Sequence, residues 1–308
     1  MQKRISIVIP CFNEQEVVGQ TYARLAALDL GAYDKELIFV DDGSRDNTLA
    51  LLKDFARENP QVKIISFARN FGHQPAVSAG TAAASGDAVV IIDADLQDPP
   101  ELIPEMIQKW EEGYQIVYGK RLKRQGETAF KKLTAWGYYR VLGMLGGDYI
   151  PKDTGDFRLI DRAVARTLTE DMPEHNRFLR GMTAWAGFSQ TPVEYVRDAR
   201  AAGETKYTLK KMVKLAGDGI TAFSMKPLKL PMVLGAVLLP LSFAYLIVAV
   251  VLAALGILNA VHAVLAGVFL VLAFVLLSLG IFGLYLGRIY DEAKARPLYV
   301  VKERVNLE

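Results

Sequence analysis

One cysteine in 308 residues, Cys11, excludes a disulfide framework and a cysteine-based zinc site. Neither sign of charge dominates: 36 Lys and Arg face 34 Asp and Glu. No global field therefore argues for nucleic acid as a partner. There is no G-x-G-x-x-G, so a dinucleotide reading lacks its fingerprint. The nearest approach to a P-loop, Gly113…Gly119-Lys120, has five intervening residues instead of four, and Arg121 stands where Ser or Thr is needed. The largest absence is local. Residues 230–287, 58 in a row, contain no Asp, Glu, Lys or Arg. All 70 charges fall on the other 250 residues, 28% of them, an ordinary soluble composition. That asymmetry excludes both a purely soluble protein and a many-span transporter.

At 1.5 Å per residue, the charge-free run would reach about 87 Å as helix, far more than one ~30 Å hydrocarbon core needs. Two spans, about 231–255 and 261–286, joined at Gly256–Ala260, fit best. Lys226 and Lys229 precede the first, Arg288, Lys294 and Arg296 follow the second, and the connecting loop carries no charge. Positive flanks stay cytosolic, so the expectation is a hairpin with both ends inside. His262, beside the loop, reads as an interfacial residue. Gly280, Gly283 and Gly287 leave close helix approach, and a homo-oligomer, open. Upstream, residues 205–229 interleave Lys206, Lys210, Lys211 and Lys214 with apolar side chains, the pattern of an interfacial helix on anionic headgroups. Thr128–Leu145 reads equally as a second such helix or as one packed on the soluble domain. At the other end, Lys3 and Arg4 are followed only by Ile5–Ile9 before Pro10, too short for a signal peptide's apolar region. The expected organisation is a cytosolic domain (1–204), a juxtamembrane segment (205–229), two spans within 230–287 and a cytosolic tail (288–308).

The first 120 residues alternate two patterns. Ile5–Ile9, Leu37–Val40, Val62–Phe67, Ala88–Ile92 and Ile116–Tyr118 are short, nearly continuous apolar runs, as in strands buried on both faces of a parallel sheet. Helical stretches lie between them: Val17–Leu28, Thr48–Glu58, Pro75–Ala84 and Pro99–Glu112. Repeated βα units place a ligand crevice at the carboxyl ends of the strands. Pro10-Cys11-Phe12-Asn13-Glu14, Asp41-Asp42-Gly43-Ser44 and Asp93-Ala94-Asp95-Leu96-Gln97 each follow a strand, so their carboxylates converge on one edge. Asp93 and Asp95, spaced i, i+2, point to one side of extended backbone and repel unless a cation lies between them. Hard oxygen donors suit Mg²⁺ or Mn²⁺ bridging a pyrophosphate. A bare D-x-D is often only solvated, but this one follows a buried strand and is joined by Gln97 and by Asp41 and Asp42.

In this order, and before a two-span hairpin, the motifs Ile9-Pro10-Cys11-Phe12-Asn13-Glu14, Val40-Asp41-Asp42-Gly43-Ser44, Arg69-Asn70-Phe71-Gly72, Asp93-Ala94-Asp95-Leu96-Gln97-Asp98-Pro99, Gly155-Asp156-Phe157-Arg158-Leu159 and Gly203-Glu204-Thr205-Lys206-Tyr207 are specific. Over essentially its whole length the chain resembles family 2 glycosyltransferases of the polyprenyl-phosphate type. It looks like the bactoprenol glucosyltransferases and, more distantly, the dolichyl-phosphate mannose synthases. The resemblance implies a GT-A, Rossmann-like α/β domain with a mainly parallel sheet, a nucleotide-sugar donor (UDP-glucose favoured), a polyprenyl phosphate acceptor, Mg²⁺ or Mn²⁺, and inversion at the anomeric carbon.

By the same resemblance, Pro10, Phe12 and Glu14 surround the nucleoside, and Asp42, more than Asp41, binds base or ribose. Asp93, Asp95 and Gln97 hold metal and diphosphate, and Arg121 faces the donor. Asp156 matches the catalytic carboxylate; Arg158, Arg200 and Lys206 are candidates for the acceptor phosphate. The bland readings are an Arg158–Asp156 salt bridge and a solvated Arg200; His73, following Arg69-Asn70-Phe71-Gly72, is weighed as a donor contact, with a helix-cap or packing role preferred. Two rivals are weighed. A processive polysaccharide synthase normally adds a Q-x-x-R-W signature and several further spans, neither of which is here. A non-catalytic membrane adaptor with a nucleotide-binding fold does not explain the intact carboxylate set or Lys206.

Overall fold

A computed structural model describes residues 3–122, 154–196, 226–256 and 260–307. Arg200, Lys206, the segment 128–145 and most of the segment 205–229 lie outside the described residues. Strands β1 (Arg4–Cys11), β2 (Asp34–Asp41), β3 (Val62–Phe67), β4 (Ala88–Ile91) and β5 (Ile116–Arg121) alternate with helices α1 (Val18–Ala27), α2 (Thr48–Glu58), α3 (His73–Ala83) and α4 (Ile103–Glu111). There follow β6 (Thr154–Asp161), α5 (Arg162–Arg166), α6 (Leu179–Trp185) and β7 (Gln190–Tyr195). Two long helices come next, α7 (Lys226–Ala254) and α8 (Ala260–Ala293), and then β8 (Val301–Val305).

The eight strands form one sheet in the order β7-β5-β6-β4-β1-β2-β3-β8. β1 pairs in parallel with β2 and β4, β2 with β3, and β5 with β7; β6 and β8 pair antiparallel with their neighbours. The five expected strands are β1 to β5. Ile5, Ile7 and Ile9 and the interleaved Val8 are all fully buried, so both faces of β1 are covered, which is why it lacks an alternating pattern. Gly80 lets α3 lie close on the sheet, since a Cβ there would run into Val8 and Val40. α3 starts at His73, two residues before the expected Pro75, because proline is tolerated in a first helical turn.

The antiparallel β6 matters most for function. It begins at the edge where β1, β2 and β4 end, so its first residues join theirs. Ile91 pairs with Arg158; extended by two residues, that register sets Asp93 against Asp156. β8, drawn from the expected C-terminal tail, covers the edge of β3 instead of trailing free.

The described residues divide into two compact units, one built on the sheet and including β8, the other built on α7 and α8. In the second, Phe274–Ala293 is long and apolar enough to cross a membrane, and the corresponding stretch of α7, Phe243–Leu252, is shorter.

Candidate active site

Pro10, Cys11, Phe12, Glu14, Asp42, Asn70, Gly72, His73, Ala76, Asp93, Ala94 and Asp95 line a cleft of about 350 Å³ at the carboxyl ends of β1, β2 and β4. Its walls are loops locked to one another. The Asn13 and Glu14 amides donate to Ser44 Oγ (3.0 Å) and Thr48 Oγ1 (2.8 Å), tying the loop after β1 to the loop after β2. Asp42 Oδ1 accepts from the Phe71 amide (2.6 Å), and Oδ2 accepts from the Gly72 amide (2.9 Å) and Asn70 Nδ2 (2.8 Å). Burial raises the Asp42 pKa, and the two amides partly offset that. Asp42 thus holds the Arg69–Gly72 loop as well as facing the cleft. Gly43, at φ 68°, permits this, because a Cβ would fall inside the Arg69–Asn70 backbone. Asp41 lies behind, accepting from Ser66 Oγ (2.8 Å) and the Ser44 amide (3.1 Å).

Asp93 and Asp95 follow β4 into the cleft. Leu96 adopts φ 57°, an uncommon left-handed conformation for leucine, and the Gln97 amide donates back to Asp95 Oδ1 (3.2 Å). Burial raises the Asp93 pKa, and Asp156, Asp98 and Asp95 push it the same way against the pull of His73. So much negative charge in one place fits a cation. Among the described residues no three His, Cys, Asp or Glu side chains are grouped as a complete metal site. A hard cation on Asp93 and Asp95 would therefore take its remaining oxygens from a diphosphate or water, the habit of Mg²⁺.

Arg121, at the end of β5, donates to Tyr195 Oη (3.2 Å) and lies 3.3 Å from Asp98, a fully buried carboxylate that also accepts from Tyr195. Gly155 makes room for it, since a Cβ there would collide with the guanidinium.

Asp156 is where the structure departs from the sequence reading. The Arg158–Asp156 salt bridge, the bland alternative to an acceptor-phosphate role for Arg158, is replaced by another pair. Arg158 is buried, and its guanidinium donates to Thr183 Oγ1 (2.6 Å) and to the carbonyls of Gly155 (3.0 Å) and Asp156 (3.4 Å). Burial lowers its pKa to about 10. The Asp156 carboxylate instead meets Arg180 Nε at 2.8 Å and His73 Nε2 at 3.0 Å. Burial alone would raise its pKa, but these cations hold it well below the usual carboxylate range. Reciprocally, Asp156 and Asp93 raise His73 to about 9 against its own burial. His73, which the sequence suggests as a cap or packing residue, is therefore a cleft residue. Arg180 escapes a sequence reading altogether, because nothing local marks it.

Residues 6–169 match the family described as Glycosyl transferase family 2. The chain belongs to that family. It is 50% identical over 98% of its length to an uncharacterized glycosyltransferase, YkcC, of Bacillus subtilis (strain 168), covering 94% of that protein. It is 38% identical over 97% of its length to the prophage bactoprenol glucosyl transferase homolog of Escherichia coli (strain K12), covering 98% of that protein. Among solved structures, glucosyl-3-phosphoglycerate synthase from Mycobacterium tuberculosis, in complex with Mn²⁺, uridine diphosphate and phosphoglyceric acid, superposes with a TM-score of 0.54 at 22% identity. That likeness, over 71% of this chain and 76% of that one, is one of fold, a GT-A-like α/β domain with a mostly parallel sheet. In this glycosyltransferase the cleft lies at the carboxyl ends of parallel strands, where open α/β sheets bind their ligands.

Proposed function

We propose that this family 2 glycosyltransferase moves glucose from UDP-glucose onto a polyprenyl phosphate at the cytoplasmic face of a membrane, inverting the anomeric carbon. The observation that carries the reading is the extent of its likeness to proteins named bactoprenol glucosyl transferase, which covers nearly the whole of both chains, long helices included. The donor half is supported by the strand-end carboxylates and by the Mycobacterium tuberculosis neighbour crystallised with Mn²⁺ and uridine diphosphate. When bound, Mg²⁺ or Mn²⁺ would neutralise the diphosphate and stabilise the departing nucleotide. Asp93, Asp95 and Gln97 are the residues that would hold it. Pro10, Phe12, Glu14 and Asp42 form the nucleoside wall, and Arg121 supplies positive charge on the donor side.

The acceptor half rests on charge and topology. An anionic lipid phosphate must approach an anionic donor, so basic residues are needed, and Arg200 and Lys206 are assigned to it. Arg158, spent on Thr183 and two carbonyls, acts from behind the Gly155–Asp156 backbone. The two-span hairpin is supported by the sheet itself. β7 precedes the long helices and β8 follows them, so the chain leaves the sheet through α7 and returns to it from α8. Exposed apolar side chains such as Phe243, Leu276 and Leu284 suit a lipid surrounding. The test is UDP release by the protein in lipid vesicles, with and without undecaprenyl phosphate and with and without Mn²⁺ or Mg²⁺, across several nucleotide sugars. Release should need acceptor and metal and be fastest with UDP-glucose. Release without lipid phosphate at the same rate would reject the acceptor.

A further inference from the structure

We propose that Arg180 and His73 are positioning residues for Asp156, each holding one oxygen so that the carboxylate serves the transfer as an oriented anion and not as a proton acceptor. The inference rests on the reading that Asp156 acts in that transfer. Asp156 Oδ1 accepts from Arg180 Nε (2.8 Å), while Oδ2 meets His73 Nε2 (3.0 Å), with Arg180 Nη2 farther off (3.4 Å). Charge-assisted bonds on both oxygens stop the carboxylate rotating and favour its ionised form over a protonated one.

The holders are themselves held. Arg180 Nη1 donates to the Thr154 carbonyl (3.1 Å), and its guanidinium lies 5.9 Å from the Phe178 ring centroid. His73 opens α3, and the next residue, Gln74, accepts the Leu179 amide on its Oε1 (3.0 Å), joining the first turn of α3 to the start of α6. Three elements thus meet on one carboxylate: α3 through His73, α6 through Arg180, and β6 through Asp156 itself. The His73 ring also stands 3.8 Å from Asp93 Oδ1, between the donor side of the cleft and Asp156. Arg158, the nearer residue in sequence, cannot do this work, because its donors are committed elsewhere.

The experiment is a set of double-mutant cycles on the full chain in vesicles. Arg180→Ala and His73→Ala are made alone and with Asp156→Asn, together with the conservative Arg180→Lys and His73→Gln in case an alanine variant misfolds. Each alanine change alone should lower kcat by ~10–100-fold, the scale of misplaced catalytic groups, and leave binding of UDP with Mn²⁺, measured by calorimetry, within about threefold. The Arg180→Lys and His73→Gln variants, which keep one donor, should recover part of the rate. In the Asp156→Asn background the further loss should shrink below about threefold, because groups that act through one residue do not add. Losses that multiply, or that appear as a raised acceptor KM, would overturn the proposal and make Arg180 or His73 a direct ligand of substrate. Histidine ¹⁵N NMR reads the contact without turnover, and only three histidines need assigning. Asp156→Asn should shift the His73 resonance; an unmoved signal would also overturn the proposal. Failure of the function instead shows as a wild type that transfers nothing to polyprenyl phosphate while the His73 signal still responds.

Discussion

Two carboxylates on either side of His73 are driven in opposite directions. Asp93, buried and near Asp156, Asp98 and Asp95, is raised; Asp156, between Arg180 and His73, is held well down against its burial. The sign has a kinetic consequence. A group whose pKa lies below the carboxylate range stays ionised through the neutral region and gives no acidic limb near pH 6. A phosphate monoester, with its second pKa near ~6, does. Asp156→Asn should therefore lower kcat severely yet leave the acidic limb of the pH–rate profile in place, with donor and acceptor both saturating. If the limb vanished in the variant, Asp156 would be the titrating base. Asp95 makes a different prediction. Asp95→Asn keeps size and shape but removes a charge where a cation needs it, so turnover should fall to a few per cent or less at limiting Mn²⁺ or Mg²⁺. Activity near wild type under those conditions would remove Asp95 from the metal assignment. Asp93, Asp95 and Asp42 are legible in the sequence because each follows a strand of plain pattern. Arg180 and His73 are not, since their meaning lies in a carboxylate 24 and 83 residues away.

The same contrast recurs among the elements. β1 to β5 are legible because interior parallel strands read as unbroken apolar runs. β6, Thr-Gly-Asp-Phe-Arg-Leu-Ile-Asp, hides its pattern behind Asp156 and Arg158, whose side chains find partners on α3 and α6 and on carbonyls of β6 itself. β8, Val-Lys-Glu-Arg-Val, is an edge strand with three consecutive charges, which resembles a solvated tail. Loops carry a third kind of information, in which one glycine decides how two of them meet. Gly43→Ala places a methyl where the Arg69–Asn70 backbone runs and forces φ 68° on a residue with a Cβ. The cost should be about 1–3 kcal/mol, seen as a lower melting temperature. Because Asp42 anchors that same loop, donor KM should also rise several-fold while acceptor KM stays near wild type. A Gly43→Ala protein with unchanged donor KM would show that the loop does not shape the donor side.

The whole chain closes on its own sheet, and that constrains the membrane reading. A sheet with both β7 and β8 in it cannot lie on two sides of a bilayer, so the proposed crossings by the helices between them would have to be even in number. Cys11 is buried, which leaves an introduced cysteine as the reactive one. In intact cells an impermeant maleimide should label Asn259→Cys and spare Glu292→Cys; labelling of both or of the second alone would reject the hairpin. The return strand also contributes to stability. Tyr299 stacks on Phe67 at 4.9 Å, Lys53 pairs with Glu303 at 2.7 Å, and Asn306 Nδ2 donates to the Ala56 and Val62 carbonyls at 2.8 and 2.9 Å. A chain ending at Ser224 loses all of these and exposes the edge of β3, so it should differ from one in which only 226–296 are replaced by a flexible linker. With about 2–3 kcal/mol at stake, the shorter protein should melt roughly 5–10 °C lower and aggregate through its open edge. Both should bind UDP with Mn²⁺ at low temperature, because the proposed donor residues, Arg121 at the end of β5 included, all precede the truncation. Equal melting temperatures would mean that β8 is a passenger on the sheet and that membrane attachment alone explains its return.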